Sequence, residues 1–253
     1  NYQGIVTPQT YASVLQDNWV FHNSADGIQT SGRDTIQRNH VYSNSVGIEG
    51  RSSNTSYGYV GQITNNLVYA NTNHGIWVKA ANYSRYYRDA EVVNNTVYQE
   101  VGDAMRVTGG SRSVVLRNNI LWVEAGYDIY VASDSQVGFD SDYNLFHQGG
   151  DPEAFIGSWN GAAYDSLADW RAALLADADA VGAKEESSKE GNPLFVDMDG
   201  ADDVLGYEPS GDGTDGAWYE RVVRTEIVPL LREYWFDDPE RVSDAAQKLL
   251  DVD

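Results

Sequence analysis

The sequence contains no cysteine, which removes disulfides and thiolate metal sites from consideration and leaves the compartment open. No apolar run approaches the roughly 18 residues that a membrane span needs. The opening residues Asn1-Tyr-Gln-Gly-Ile5 have no initiator Met, basic segment or apolar leader, as expected of a processed or truncated edge, and so say nothing about export. Glycine-rich phosphate loops and Gly-x-Ser-x-Gly elbows are missing too. The four histidines, His22, His40, His74 and His147, are too far apart for zinc-ligand spacing.

Positive charge is scarce. There are 17 Lys and Arg against 38 Asp and Glu, a formal net charge of −21. Residues 149–253 carry most of the excess, with 8 basic against 25 acidic side chains, whereas residues 1–148 hold 9 against 13. Such a surface repels phosphate backbones, so nucleic acid is not an expected partner. It suits solubility in salty or cation-rich surroundings. Abundant Gly, Asn, Ser and Tyr, with 24 Gly and 17 Tyr, fits a secreted bacterial β-protein better than a cytosolic enzyme.

What is present is a repeat. The stretch Asn66-Leu-Val-Tyr-Ala-Asn-Thr-Asn-His-Gly-Ile76 shares its skeleton with Asn18-Trp-Val-Phe through Gly-Ile28 and with Asn39-His-Val-Tyr through Gly-Ile48. Worn copies follow at Asn95-Thr-Val-Tyr98 and Asn119-Ile-Leu-Trp122. Self-similarity at 20–50 residues marks a solenoid whose single turns cannot bury their apolar face alone. Aligned, the repeats give three apolar columns: Leu15, Ile36, Ile63, Val92, Leu116; then Val20, Val41, Val68, Val97, Leu121, Leu145; then Ile28, Ile48, Ile76, Met105, Ile129. Spacing within the second column varies between 21 and 29 residues. A solenoid absorbs this, because extra residues leave as loops while each strand keeps its register. The Asn column (Asn18, Asn39, Asn66, Asn95, Asn119) falls where one strand turns into the next, and stacked carboxamides there can bond along the axis. Phe21, Tyr42, Tyr69, Tyr98, Trp122 and Phe146 run beside it and are expected to stack along the sheet.

The pattern over residues 11–148 resembles the right-handed parallel β-helix superfamily typified by pectate lyases. The fold class expected is therefore all-β: a single-stranded right-handed parallel β-helix with a helical C-terminal appendage. Ser141-Asp-Tyr-Asn-Leu-Phe146, Tyr164-Asp-Ser-Leu-Ala-Asp-Trp-Arg171 and Asn192-Pro-Leu-Phe-Val-Asp197 resemble the closing segment of many extracellular bacterial β-helix proteins, which implies an extracellular or cell-surface location. On this reading the β-helix fills 1–206, with coils to about 148, a loop and helix insertion over 149–191, and a closing rung over 192–206. Over this segment, 149–163 is expected as a Gly-rich loop, Ser166–Ala180 as a helix with Ser166 as N-cap and 182–192 as charged and loose, with Pro193–Val196 as a short buried strand of the closing rung. Residues 207–253 are an acidic linker and two helical stretches, about Trp218–Phe236 and Pro239–Leu250, the second opening with Pro at the first helical position.

If the third column points inward, alternation places Gln29, Glu49, Trp77, Arg106 and Tyr130 on the outer face. Two residues on come Ser31, Arg51, Lys79, Thr108 and Ala132, with His74 and Asp103 at strand starts. The loops Ser52–Val60 and Ala80–Asp89 leave the same coils and bring Arg85 and Tyr86. Aromatic faces beside cations suit a sugar-acid polymer, rings on the flat surfaces and carboxylates on the charges. The resemblance implies that some relatives remove the proton α to a uronate carboxylate. Lys79 and Arg106 are then the candidate base and neutraliser, nearby Arg85, Arg88 or Arg106 helping to lower the lysine pKa. A hydrolase would instead need two carboxylates about 5–9 Å apart, for which Asp103 and Asp128 are the pair to test. Asp197, Asp199 and Asp202, in an acidic Gly-containing run, are candidate Ca²⁺ ligands. The functional expectation is an extracellular protein that binds an acidic polysaccharide and is a candidate to cleave it by β-elimination. The alternative is a non-catalytic structural or adhesive segment whose partners are other surface-protein subunits.

Overall fold

The structure is a computed structural model and describes residues 1–7, 12–51, 59–80, 90–182, 184–195 and 205–206. The chain divides into two units, Asn1–Gly191 and Asn192–Asp253. Among the described residues no helix is long and apolar enough to cross a membrane.

Three sheets of stacked strands form the first unit. The first orders its strands as Ile5–Val6, Asp26–Ser31, Val46–Arg51, His74–Lys79, Asp103–Thr108, Gly126–Val131 and Ala154–Trp159, with Ala162–Tyr164 added antiparallel at the end. The second runs from Val14–Gln16 to Ala180–Val181, and the third from Trp19–Phe21 to Lys189–Glu190. Each strand pairs in parallel with the corresponding strand one coil later, the arrangement of a β-solenoid.

The columns stack as expected. Val20 pairs with Val41, Val41 with Val68, Val68 with Val97 and Val97 with Leu121. Ile28, Ile48, Ile76, Met105 and Ile129 are likewise consecutive partners, and all five are sealed inside. Each buried aliphatic side chain contributes about 1.5–3 kcal/mol, which only the stack realises. The sixth member of the second column differs from expectation: Leu121 faces Phe146 and Ile120 faces Leu145. Phe146 fills the interior, and His147 takes the outward place beside Trp122, 4.7 Å from it. Of the other outward aromatics, Phe21 stacks on Tyr42 at 5.0 Å and Tyr42 on Tyr69 at 4.8 Å, whereas Tyr98 meets Trp122 edge-on at 5.0 Å.

The corners explain the Asn column. Asp17, Arg38, Asn65, Asn94, Asn118 and Tyr143 all have positive φ, each immediately before Asn18, Asn39, Asn66, Asn95, Asn119 or Asn144. One left-handed residue turns the chain sharply, at an energetic cost for a non-glycine residue, and the Asn that follows points inward. Its side-chain oxygen accepts from the backbone N–H and the amide of the Asn one coil earlier, as Asn95 does from Asn66 at 3.0 Å each. The ladder ends at Asn144, whose N–H donates to Ser188 Oγ and whose amide reaches Glu185. A second ladder, Asn23 to Asn44 to Asn71 to Gln99, lines a second corner, between the third sheet and the first. The repeat alignment does not include it, although each of its first three Asn lies five residues after one of the first ladder.

The closing segment departs further from expectation. Residues 149–163 hold the strand Ala154–Trp159 and the start of the strand Ala162–Tyr164. The helix spans Leu167–Ala176, N-capped by Ser166, and buries Leu167, Trp170 and Leu174. Gly157 makes room for it, since a Cβ there would lie 2.4 Å from the Trp170 ring. Residues 182–192 include a paired strand, Lys189–Glu190, and the buried Glu185 that receives Ser188 Oγ–H and the Asn144 amide. The closing rung in the third sheet is therefore Lys189–Glu190. Pro193, Leu194 and Phe195 are not in a strand. Val196 and the expected C-terminal helices lie outside the described residues.

Candidate carbohydrate-binding face

The outward side of the first sheet brings most of the predicted residues together. Gln29, Glu49, Trp77, Arg106 and Tyr130 are successive register partners, as are Ser31, Arg51, Lys79 and Thr108. His74 pairs with Asp103. Strands stack about 4.8 Å apart, so these rows lie across neighbouring coils like rungs.

Strict alternation misses a third outward row. A Cβ on Gly47 or Gly75 would run into Val68 or Val97 inside the tube, so that residue and the isoleucine after it both turn inward. The residue before the glycine therefore shares the outer face with the one three places on. Asp26 touches Gln29 in this way, the Gln29 amide donating to its carboxylate at 2.6 Å. Tyr127 lies 5.5 Å from Tyr130 and 5.4 Å from Phe155, ring to ring. Asp26, Tyr127 and Phe155 are thus residues that sequence reasoning did not place on the face.

Charges on the face are held by neighbours. The Arg106 guanidinium pairs with Asp103 and lies over the Tyr130 ring, 3.9 Å from its centre. Asp103 also accepts from the Tyr127 N–H at 3.2 Å. Burial raises the Asp103 pKa against the opposing pull of Arg106. The His74 ring approaches Asp103 at 3.7 Å, yet burial and Arg106 push its pKa down to about 4, so it is neutral near pH 7. Glu49 is almost wholly buried; the Gln29 amide donates to it at 2.8 Å and Arg51 stands 3.5 Å away. Burial and Asp26 raise its pKa, against the smaller pulls of Arg51 and Lys79. Lys79 Nζ sits over the Trp77 ring at 4.3 Å, and Trp77 Nε1 donates to Thr108 Oγ at 2.8 Å. Among the described residues Lys79 has no carboxylate within ion-pair distance.

The hydrolase pair does not form. Asp103 lies at the outer face, bonded to Arg106, whereas Asp128 occupies the inward position matching Gly75 and Ala104 and has no exposed surface. They stand on opposite sides of one sheet and cannot flank a glycosidic bond. Asp128 oxygens have no side-chain partner, and burial holds its pKa well above the usual carboxylate range. Among the described residues no group of three His, Asp or Glu is placed to hold a metal. Arg85, Tyr86, Asp197, Asp199 and Asp202 lie outside the described residues, so the calcium expectation and the loop contribution have no geometry here.

A family model described as the right-handed β-helix region matches residues 2–144. A second, described as the α-helical lid domain of McrB, matches residues 206–243, nearly all outside the described residues. No curated protein and no solved structure matches the chain.

Proposed function

The chain belongs to the right-handed β-helix family, and on that footing we propose that the outward face of its first sheet binds an acidic polysaccharide in the extracellular space. The observation that carries this reading is the interleaving of rings and cations on adjacent coils: Lys79 on Trp77, then Arg106 on Tyr130, with Tyr127 and Phe155 beyond. Sugar rings present flat C–H faces that pack on such aromatics, and a carboxylate can bond to an ammonium or guanidinium. A chain laid along the stacking axis meets one coil roughly every 4.8 Å, so successive sugars meet successive rungs. Elimination on a bound uronate would instead need Lys79 as the neutral amine: Nζ takes the proton α to the carboxylate, the bond from the β carbon to the leaving oxygen breaks as the double bond forms, and that oxygen takes a proton from water.

The test is titration calorimetry of the intact chain against alginate, pectate and glycosaminoglycan fragments, with absorbance at the wavelength of the unsaturated product recorded alongside. Binding to at least one, weakened about tenfold by Trp77→Ala or Tyr130→Ala, supports the reading. Absence of binding to all of them removes it.

A further inference from the structure

Resting on that binding face, we infer that its ligand is a polymer in which carboxylate sugars are separated by neutral ones, rather than a run of contiguous uronates. The described part of the face holds three cations, Arg51, Lys79 and Arg106, and three carboxylates, Asp26, Glu49 and Asp103. It is therefore balanced, on a chain whose net charge is −21. A polyuronate would present a negative charge to every rung, including those where Asp26 and Glu49 already stand. Like charges at such distances repel, and little solvent screens the buried Glu49.

The charges are also sorted along the axis. Toward the first coils the face presents the half-buried Asp26 carboxylate, with Gln29 and Glu49 buried beside it and joined to one another through the Gln29 amide. In the middle, Arg51 and Lys79 are register partners, and Lys79 has no carboxylate of its own among the described residues. Beyond it, the Arg106 charge is taken up by Asp103 and the Tyr130 ring, and the next coils present Tyr127, Tyr130 and Phe155. One carboxylate fits at Arg51 and Lys79. The sugars beyond it meet aromatic faces, which favour neutral rings, and those before it meet the partly exposed Asp26 carboxylate, which favours hydroxyl and amide donors over a further carboxylate.

The experiment compares three hexasaccharides on the intact chain at about 0.15 M salt: a hyaluronan fragment, in which uronate and N-acetyl sugar alternate; hexagalacturonate; and neutral chitohexaose. The alternating fragment should bind about tenfold or more tighter than hexagalacturonate. Lys79→Met, shown to be folded by circular dichroism, should bring its affinity down to that of chitohexaose. Equal or tighter binding of hexagalacturonate overturns the inference while leaving the binding face standing. Tightest binding of chitohexaose overturns the carboxylate assignment at Lys79. If none of the three binds, the inference falls, and the face falls with it only if alginate and the other glycosaminoglycan fragments also fail to bind.

Discussion

Removing one amide from the middle of the Asn ladder should cost far more than removing one from its end. Asn95 is buried at 1% exposure, and its side-chain oxygen is the acceptor for both the Asn66 N–H and the Asn66 amide. Its own amide donates to Ile63 and Val93 carbonyls and to Asn119 Oδ1. Asn95→Ala strands two buried N–H bonds on Asn66 at once, the backbone one and one of the two on its amide, the other staying with the Ile36 carbonyl. Each unsatisfied buried group costs about 1–3 kcal/mol, so the expected loss is about 2–6 kcal/mol, a large fraction of a domain's usual 5–15 kcal/mol. With a urea m-value of about 3 kcal/mol per molar, the denaturation midpoint should fall by about 0.7–2 M with the slope unchanged. Asn18→Ala is the control. Among the described residues the Asn18 side-chain oxygen accepts nothing and its amide donates only to Gln16 and Asn39, so its loss should stay below about 1 kcal/mol. If the two substitutions move the midpoint equally, the ladder is not what holds the corners.

Asp128→Asn tests the unpaired interior carboxyl. Its folded pKa is raised above the unfolded value, so its contribution is intact below about pH 4 and is lost as pH climbs toward the folded pKa. The Asn variant should therefore melt higher than the parent at pH 7 and lose that advantage at acid pH; a pH-independent difference counts against the assignment. Gly102 has φ +78° and a Cβ there would lie 1.6 Å from the Asn73 carbonyl oxygen, so Gly102→Ala should lower the melting temperature sharply. Gly150→Ala, where a Cβ meets nothing within 4 Å, should leave it near the parent value. Raising salt from about 0.1 to 1 M shortens the screening length from about 10 to 3 Å, and with a net charge of −21 the melting temperature should rise. A fall would mean that attractive pairs outweigh self-repulsion.

The tube was legible in the sequence because its interior is periodic. An aliphatic residue recurs two places after each ladder Asn, as Val20 follows Asn18 and Val97 follows Asn95. The same count from Asn144 reaches Phe146, which is where the structure puts the inward side chain. Tracking the aromatic rather than the Asn shifts that coil by one residue and exchanges its two faces, as a one-residue slip in any strand must. The strands near the end of the unit were harder to read. Residues 149–163 and 182–192 are rich in glycine and charge, signals of loops, but Ala154–Trp159 and Lys189–Glu190 are held as strands by the edges they continue. Tertiary pairing overrode local composition there.

The binding face was only half legible, for a reason built into the first sheet. Alternation assigns every second side chain outward, but the glycine ahead of each of the early isoleucines turns inward with it, beside the Asn ladder of the second corner. That doubled inward step brings residues three apart onto one face. Asp26 with Gln29, His74 with Trp77, Asp103 with Arg106 and Tyr127 with Tyr130 all touch in this way. In sequence, Arg106 reads as a free cation able to neutralise a substrate. In the folded sheet, Asp103 holds it, and of the face's three described cations, Arg51, Lys79 and Arg106, the one without a carboxylate within ion-pair distance among the described residues is Lys79. The bend that closes the tube around small residues thus also decides which charge on its surface is left to meet a ligand.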